Sequence, residues 1–334
     1  MKIAIDAMGG DHAPQVVVEG LAEAVEQGVV ASDHILAVGP EDSLRAALEA
    51  AGHPGIEILD APEIIEMDAS AATAIRAKPR SSIVVGMKAV REGRAQGFVS
   101  AGNTGAVVAS AQLILGRLTG VLRPGIAVPI PTNAGHPCIV LDVGANIYCK
   151  PLHMLQYAVM ADEYSKANFG NSSPRIGLLN IGAEEGKGNP LIQEAHELLR
   201  TADVSYEGFV EGQDITSGAV DVVICEGFVG NVILKVAEGL SAFLSSQVHA
   251  AFKEAPPTVE VKHAVAKAFQ DLDYAEYGGA PLLGVAAPVL IGHGRSSPHA
   301  IMNMMRAALK SIEYDITRNI TDRLNPGGAE KPVS

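Results

Sequence analysis

The sequence predicts an α/β fold with a largely parallel sheet. Short apolar segments alternate with longer segments of 3.6-residue periodicity from one end of the chain to the other, the pattern of repeated strand–helix units. The chain has 334 residues, 48% of them hydrophobic, so it is long enough to bury a full core. Its 35 glycines and lack of tryptophan indicate many tight turns between strands and helices. No fixed-period repeat or low-complexity linker divides the chain, so we expect one large domain over residues 1–324.

Nine strands are predicted from the apolar runs. In chain order they are KIAIDA (2–7), HILAVG (34–39), IEILDA (56–61), GFVSAG (97–102), AVPIPT (127–132), CIVLDVGA (138–145), RIGLLNIG (175–182), AVDVVICEG (219–227) and APVLIGHG (287–294). Most are followed by a helical pattern, so most connections are expected to be strand-to-helix turns.

Two segments depart from this alternation. A helical hairpin is predicted at 231–272, with a first arm from about Asn231 to Phe252, a break at Pro256 and Pro257, and a second arm beginning in VEVKHAVAKAF. One last helix is predicted from about Pro298 to Leu324, with an apolar stripe that packs on the core. The tail at 325–334, NPGGAEKPVS, is expected to be disordered.

Charge and cysteine content argue against several classes of protein. The formal charge of −13 argues against general nucleic-acid binding, which normally needs a net basic face. The three cysteines have no CxxC spacing, which fits a reducing compartment. The chain starts directly on a strand, and its longest unbroken apolar runs are shorter than the ~20 residues of a membrane span. We therefore expect a cytoplasmic protein that is not integral to a membrane.

One stretch of the acidic chain is basic. Between Arg76 and Arg94 the charged residues are Arg76, Lys78, Arg80, Lys88, Arg91 and Arg94, against Glu92 alone. The stretch is either a solvated helix face or a docking surface for an acidic partner.

Polar residues and glycines gather where the predicted strands end. The segments are DAMGGDH (6–12), SAGNTGA (100–106), DVGAN (142–146), NIGAEEGKGN (180–189), EGFVGN (226–231), YGGAPLLG (277–284) and HGRSS (293–297). Each alone is explained by helix capping. If the strands are parallel, however, these ends meet at one sheet edge, where exposed amides and helix N-termini suit an anion such as phosphate.

The usual phosphate and nucleophile motifs are missing. Gly182 to Lys187 is one residue too short for a P-loop, and Gly188 replaces the hydroxyl residue that would bind magnesium. There is no GxGxxG fingerprint, no metal-spaced His or Cys cluster, and no GxSxG elbow. We expect a site without its own nucleophile, cofactor or metal. Lys187, in a glycine-rich turn, either reaches a bound anion or pairs with Glu184 or Glu185.

Two further side chains are open to more than one role. Asn231 either donates its amide to a carbonyl oxygen or caps the long helix. His12 and His293 are either bases or satisfied loop histidines.

These motifs resemble the PlsX family of phosphate acyltransferases. DAMGGDHAP, SAGNTGA, DVGAN, NIGAEEGKG, EGFVGN, YGGAPLLG and HG-x-S occur in the family's order over nearly the whole chain. The resemblance implies a three-layer α/β/α sandwich related to isocitrate and isopropylmalate dehydrogenases. It also implies a homodimer, peripheral association with an anionic membrane surface, and transfer of an acyl group from acyl-carrier protein to orthophosphate for phospholipid synthesis. A downstream glycerol-phosphate acyltransferase is a further implied partner. Ala183 and the segment Lys253 to Asp273 match the family pattern less well.

The resemblance also assigns roles to residues. It makes Lys187 and Asn231 catalytic: Lys187 holds phosphate, and Asn231 polarises the thioester oxygen while phosphate itself attacks. Substrate and phosphate binding fall to the motif residues Asp6, Gly9, Gly10, Asp11, His12, Ser100, Asn103, Thr104, Asp142, Asn146, Asn180, Gly227, Gly230, Gly278, Gly279, His293 and Ser296.

Two surfaces complete the assignment. Carrier-protein docking is predicted at Arg76, Arg80 and Arg91, with Arg117 and Arg123 next in line. A membrane tip is predicted at Val261, Val265 and Phe269, whose alternative is packing within the hairpin or on a dimer mate. Two other functions stay open: transfer from acyl-coenzyme A to phosphate, and a non-catalytic module that binds a phosphorylated metabolite.

Overall fold

The computed structural model describes residues 1–271 and 277–325. Its strands are β1 Ile3–Asp6, β2 Ile35–Gly39, β3 Glu57–Asp60, β4 Gly97–Ser100, β5 Gly125–Ile130, β6 Cys138–Leu141, β7 Arg175–Leu179, β8 Ser205–Val210, β9 Val222–Ile224, β10 Ala280–Leu283 and β11 Val289–Ile291. Its helices are α1 Gln15–Glu26, α2 Glu41–Ala50, α3 Ala71–Ala77, α4 Ser82–Arg91, α5 Thr104–Ser110, α6 Pro151–Phe169, α7 Pro190–Leu199, α8 Asp214–Ser217, α9 Gly227–Glu254, α10 Val259–Asp271, α11 Pro298–Glu313 and α12 Ile316–Leu324.

The strands of the described residues form one mixed sheet in the order β3-β2-β1-β4-β11-β10-β5-β6-β9-β7-β8. Most neighbours are parallel, and the antiparallel pairings all involve β10 or β5. β10 runs antiparallel to β11 and to β5, and β5 runs antiparallel to β6. The strands β6, β9, β7 and β8 therefore point in the opposite direction to β3, β2, β1, β4 and β11. The sheet therefore has two parallel halves of opposite direction.

Helices cover both faces of this sheet. On one face α3, α4, α5 and the first turns of α9 pack over a continuous core that reaches from β2 to β9. On the other face, α1, α2 and α11 cover the β1 half, and α6, α7 and α12 cover the β6 half. The predicted three-layer α/β/α sandwich is confirmed.

All nine predicted strands are present, and the sequence analysis missed two. β8 is an edge strand whose residues are mostly half-buried or exposed, so its apolar signal is weak. β10 lies within the YGGAPLLG motif, where the prediction saw only a polar loop. It contains Pro281, a residue that argues against a strand from sequence alone.

The predicted helices differ from the observed ones at two places. The single helix expected from Pro298 to Leu324 is two helices, because Asp315 adopts a left-handed conformation (φ 52°) that breaks the chain between α11 and α12. The long helix α9 begins at Gly227, four residues earlier than expected, so Asn231 lies at the end of its first turn. The hairpin itself is present as α9 and α10, and its last predicted residue, Leu272, lies outside the described residues. So does the predicted tail beyond Asn325.

Helix α9 lies almost wholly on the surface. Within its 28 residues only Gly227 and Gly230 are buried, while Phe228, Val232, Val236 and Leu240 are 61%, 47%, 61% and 53% exposed. Its spacing of four residues places these side chains in one stripe. By length and composition alone, α9 could cross a membrane. Its apolar residues are interrupted by polar ones, so the lengths of unbroken apolar runs in the sequence did not indicate it.

Candidate active site

The polar strand ends form two groups rather than one. The carboxyl ends of β1, β4 and β11 lie at one edge of the sheet with the segment before β10, whereas those of β6, β9 and β7 lie at the opposite edge. The expectation of a single shared edge is wrong, because the antiparallel strands β10 and β5 reverse the direction between the halves. Among the described residues, no hydrogen bond joins the two groups.

The first group is built around the buried carboxylate of Asp6. Ser100 Oγ donates to Asp6 Oδ2 over 2.6 Å, and the amide of Met8 donates to Asp6 Oδ1 over 3.1 Å. Burial raises the pKa of Asp6, while hydrogen bonds from Ser100, Ser82, Met8 and Gly9 oppose that rise. The side chain therefore ties β1 to β4 and has most of its hydrogen-bonding capacity in use.

The glycines of this group allow three loops to touch. A Cβ on Gly9 would lie 2.6 Å from the amide nitrogen of Gly102, and a Cβ on Gly10 would lie 3.1 Å from the carbonyl oxygen of Gly294. The amide of Asp11 donates to that same Gly294 oxygen over 2.8 Å. These glycines are needed for close backbone packing.

Asn103 is fully engaged in holding its surroundings. Its Oδ1 accepts from the amide of Ala106 over 2.9 Å and so caps α5. Its Nδ2 donates to the carbonyl oxygens of Glu66, Met67 and Ala69 over 3.1, 2.9 and 2.9 Å. No donor on this amide is left over for a ligand in this arrangement.

The other predicted residues of the first group are more open. Asp11, His12 and Thr104 are exposed, and His293 is half-buried beside Ser296, whose Oγ accepts from the His293 amide over 3.1 Å. In the YGGAPLLG motif, Gly278 and Gly279 have φ of 98° and 70° and pack against α11.

The second group is organised by Asp142, which is fully buried after β6. Its Oδ1 accepts from the amides of Ile126, Gly144 and Ala145 over 3.0, 3.1 and 2.9 Å, and its Oδ2 accepts from the amide of Asn146 over 2.7 Å. Burial raises the pKa of Asp142, and the hydrogen bonds from Ala145, Ile126 and Asn146 oppose that rise by stabilising the anion. The carboxylate fixes the shape of the whole DVGAN turn.

Asn146 links the DVGAN turn to three neighbouring segments by hydrogen bonds. Its Nδ2 donates to the carbonyl oxygen of Pro124 over 2.6 Å and to the hydroxyl of Tyr157 over 2.9 Å. Its carbonyl oxygen accepts from the amide of Gly227 over 3.0 Å, which joins the turn to the start of α9.

Two glycines let α9 start directly on this turn. A Cβ on Gly227 would lie 2.6 Å from the carbonyl oxygen of Asn146, and one on Gly230 would lie 1.9 Å from that of Asp142. The next residue, Asn231, projects over Gly144, where its Oδ1 lies 3.5 Å from the position of a Cβ. Its side chain is exposed and makes no hydrogen bond within the described part of the chain.

Lys187 lies in the loop after β7. Its Nζ donates to Glu184 over 2.8 Å, the pairing that the sequence left as an alternative, and this lysine holds the pKa of Glu184 below its usual value. Asn180 shapes the loop by donating from Nδ2 to the carbonyl oxygen of Lys187 over 3.1 Å. Both charged side chains are largely exposed, so solvent screens the pair and leaves the ammonium able to change partner.

The second group brings Lys187 and Asn231 to one edge. β9 lies between β6 and β7, so the loop that carries Lys187 and the start of α9 follow adjacent parallel strands, about 5 Å apart. Apolar side chains surround this edge: Ile147, Tyr148, Ile181 and Phe228 are 60%, 91%, 80% and 61% exposed. Sequence analysis missed them, although Ile181 and Phe228 lie within site motifs and Ile147 and Tyr148 directly follow one.

Two cysteines lie beneath the second group. The Sγ atoms of Cys149 and Cys225 lie 3.8 Å from the carbonyl oxygen of Asn146 and 3.5 Å from that of Asp142. Burial raises the pKa of both thiols, so neither favours the thiolate form that a nucleophile needs. Among the residues described, no group of three His, Cys, Asp or Glu could hold a metal ion.

Two cations of the basic stretch form ion pairs with carboxylates of β3, a strand that precedes the stretch in the chain. Arg80 pairs with Asp60 at the end of β3 over 3.1 Å, whereas Arg94 pairs with Glu57 at its beginning over 3.1 Å. Arg76 lies in α3, Arg80 lies just before α4 and Arg91 ends α4, so the length of α4, about 15 Å, separates Arg80 from Arg91.

Comparison with known proteins decides the family. A model of the family described as "Fatty acid synthesis protein" matches residues 1–319. Curated relatives named phosphate acyltransferase include one from Dictyoglomus turgidum, 42% identical over 97% of this chain and 98% of its own, and one from Pelotomaculum thermopropionicum, 45% identical over 96% and 94%. The chain belongs to the PlsX family of phosphate acyltransferases.

Solved structures extend the likeness of the fold beyond the PlsX family. A phosphotransacetylase from Streptococcus pyogenes is 19% identical and covers 94% of each chain with a TM-score of 0.66. A 4-hydroxythreonine-4-phosphate dehydrogenase from Klebsiella pneumoniae is 15% identical and covers 95% of this chain and 99% of its own with a TM-score of 0.53. These likenesses agree with the predicted dehydrogenase-like sandwich.

The contact between Gly230 and Asp142 yields a first prediction. Gly230→Ala puts a methyl group against the Asp142 carbonyl oxygen, so α9 must shift and carry Asn231 with it. Because a displacement of about 1 Å can cost on the order of a hundredfold in rate, we expect a loss of acyltransferase kcat of that size. Steady-state kinetics would measure it. Gly239→Ala, on the same helix with no atom near its Cβ position, is the matched control and should keep wild-type kcat; equal activity of the two variants would contradict the contact.

Proposed function

We propose that this chain transfers a fatty acyl group from the thioester of an acyl-carrier protein to orthophosphate. A phosphate oxygen attacks the carbonyl carbon, the carbon–sulfur bond of the tetrahedral intermediate breaks, and the carrier thiol leaves with the proton of the phosphate. The products are acyl-phosphate and free carrier. No covalent enzyme intermediate forms, and neither cofactor nor metal takes part.

The observation that carries this proposal is the placement of an exposed cation, and of an exposed side-chain amide without a hydrogen bond in the described part of the chain, in segments that follow adjacent strands. Lys187, held only by an exposed carboxylate, is placed to bind phosphate and to offset charge in the tetrahedral intermediate. Asn231 has an unengaged amide above Gly144 and is placed to donate to the thioester oxygen. With the two nearby thiols kept protonated by burial, an external nucleophile accounts for the reaction.

The residues of the second group would complete this site. Asp142 and Asn146 hold the turn, Gly227 and Gly230 let α9 approach it, and Asn180 shapes the Lys187 loop. The part of Asp6, Asp11, His12 and their neighbours in a phosphate pocket stays a prediction, since it requires both groups of loops to face one substrate.

Acyl-coenzyme A is the second candidate donor. It is favoured by the TM-score of 0.66 to a phosphotransacetylase, although at 19% identity that likeness concerns the fold alone. The two donors differ in what must dock: a protein surface in the first case and a nucleotide in the second.

A product assay tests the proposal. Purified chain, palmitoyl-carrier protein and phosphate should yield palmitoyl-phosphate by mass spectrometry, and palmitoyl-coenzyme A should yield much less. Equal or better use of the coenzyme would establish the second candidate. If neither donor gives acyl-phosphate, the chain is a binding module for a phosphorylated metabolite and the proposal is wrong.

The two catalytic assignments predict large kinetic effects. Lys187→Met and Asn231→Ala should each lower kcat/KM by roughly a hundredfold or more, the scale for loss of one preorganised transition-state donor. Both side chains are exposed, so the thermal midpoint should stay at its wild-type value. Glu184→Gln removes the partner of Lys187 without removing the cation and is the matched control. Wild-type turnover of either catalytic variant at saturating phosphate would refute its role.

We further propose a cytoplasmic homodimer that binds anionic membranes peripherally through its hairpin. The exposed stripe of α9 supports an apolar contact with a second copy, and Val261 is 46% exposed on α10, with Lys262 and Lys267 close in sequence. Each cation near an anionic surface adds about 1 kcal/mol of attraction. Such an anchor would release acyl-phosphate at the bilayer, where a glycerol-phosphate acyltransferase could use it.

If the predicted membrane tip is correct, membrane binding can be lost without loss of catalysis. Replacing Val261, Val265 and Phe269 with Ser or Gln should reduce sedimentation with anionic liposomes, because the apolar contact is lost. Soluble acyl-phosphate synthesis and the mass of the oligomer should not change. A triple variant of the exposed alanines Ala264, Ala266 and Ala268 to Ser is the matched control. Sedimentation like wild type would move the anchor elsewhere, and dissociation to monomer would assign these side chains to the subunit interface.

A further inference from the structure

A mixed basic and apolar surface borders the second group of loops. We call it the basic lip and define it as Leu122, Arg123, Ile147, Tyr148, Lys150 and Leu152. Its large apolar members are exposed, with Tyr148 at 91% and Ile147 at 60%. Both cationic residues are exposed as well. Exposed tyrosine and arginine side chains are enriched where proteins make energetically important contacts.

The lip is bonded to the same turn that supports Asn231. Pro124, the neighbour of Arg123, accepts from Asn146 Nδ2 over 2.6 Å, and Asn146 in turn contacts the start of α9. Tyr148 and Lys150 follow Asn146 directly in the chain. Arg117, from the adjoining loop, donates to the carbonyl oxygen of Leu122. The lip is thus a rigid margin of the candidate active site.

The two lip cations lie around one histidine. The amide of Lys150 donates to Nδ1 of His153 over 3.2 Å. The pKa of His153 is lowered, first by its burial and then by the positive charges of Arg123 and Lys150. Two segments of the chain that are 27 positions apart therefore contribute to a single positive region.

This positive region is not neutralised in the described part of the chain. Neither Arg123 nor Lys150 forms an ion pair there. In the basic stretch Lys78, Arg80 and Arg94 each have a carboxylate partner, while Arg76, Lys88 and Arg91 have none among the described residues. The carboxylates that act on Cys149, within the same segment, are the buried Asp142 and the half-buried Glu226. On a chain of net charge −13, a local positive region next to the site can steer an acidic partner that the rest of the surface repels.

We propose that the basic lip is the docking surface for the acidic carrier protein that delivers the acyl thioester. This inference rests on the proposed function. It replaces the stretch from Arg76 to Arg94, because α4 packs over β1 and β2. β1 is five strands from β6 in the sheet, about 24 Å at ~4.8 Å per strand. A carrier on the lip has its thioester on the side of Asn231, and the exposed Tyr148, two residues before Lys150, supplies an apolar anchor.

Binding of unacylated carrier protein tests the docking without relying on catalysis. Arg123→Glu/Lys150→Glu should weaken binding roughly tenfold or more at low ionic strength, and added salt should shrink the difference. Tyr148→Ala removes an exposed ring from the lip without changing its charge, and its loss of binding should persist at high salt. Arg76→Glu/Arg91→Glu makes the same change of charge on the basic stretch and should bind like wild type.

Turnover of a neutral thioester separates docking from chemistry. An acyl-N-acetylcysteamine thioester carries no protein and no charge, so the lip variants should convert it to acyl-phosphate at the wild-type rate while their KM for acyl-carrier protein rises. Unweakened carrier binding by both lip variants overturns the proposal, as does a loss confined to Arg76→Glu/Arg91→Glu. Loss of turnover of the neutral thioester with unchanged carrier binding also overturns it. If wild type binds carrier at the lip but makes no acyl-phosphate from either donor, the proposed function fails and the docking surface stands.

Misfolding of the charge-reversed variant would be seen as a change in oligomer mass or thermal midpoint. In that case Arg123→Gln/Lys150→Gln, which removes charge without reversing it, takes its place. Undiminished carrier binding by this milder variant at low salt would overturn the proposal.

Discussion

The rest of the candidate site depends on the hydrogen bonds between the Asp142 carboxylate and the backbone amides of its own turn and of β5. The carboxylate is buried at the end of β6 and gathers the amides of Ile126, Gly144, Ala145 and Asn146 around its two oxygens. A buried carboxylate is costly unless such donors surround it, so the turn has one favourable shape. That shape decides where α9 begins, and therefore where Asn231 lies. Through Asn146 it also fixes Pro124 and the margin that carries Arg123.

A second constraint is the reversal of strand direction at β10 and β5. It divides glycine-rich loops that look alike in the sequence into two groups with different physical roles. In the first, Asp6 and Asn103 have their polar atoms engaged with their own surroundings, and Gly9 and Gly10 allow backbone to touch backbone. In the second, the interior is equally well bonded, but Lys187 and Asn231 at its surface are not committed to the fold. Since both side chains lie outside the buried hydrogen-bond network, they are available to a substrate, while the bonded turn beneath them fixes where they start.

The surroundings of the second group agree with the proposed substrates, orthophosphate and a thioester carried by a protein. Lys187 and the amides of the loops suit the anion, and the exposed apolar residues Ile181 and Phe228 suit a greasy group near it. The basic lip suits an acidic surface. Desolvation raises the pKa of the half-buried Cys149 and the buried Cys225 beside the turn, which agrees with the proposed attack by phosphate rather than by the enzyme. The exposed stripe of α9 leads away from this region and is available for a second copy or a bilayer.

The sequence by itself determined the fold class, the positions of nine strands, the helical hairpin and the motifs that resemble one family, because these depend on local periodicity and on residue types at short spacing. It also placed Lys187 in a glycine-rich turn after a strand and Asn231 near the start of the long helix. It could not detect β8, whose edge position leaves little apolar signal, or β10, which is hidden by Pro281. Only the tertiary structure decided which strand ends share an edge, since strand direction depends on pairing between distant segments. For the same reason, only the structure revealed that Asp60 and Glu57 offset the basic stretch and that Arg123 lies with Lys150. Charges far apart in the chain act on one another only once folding has brought them together.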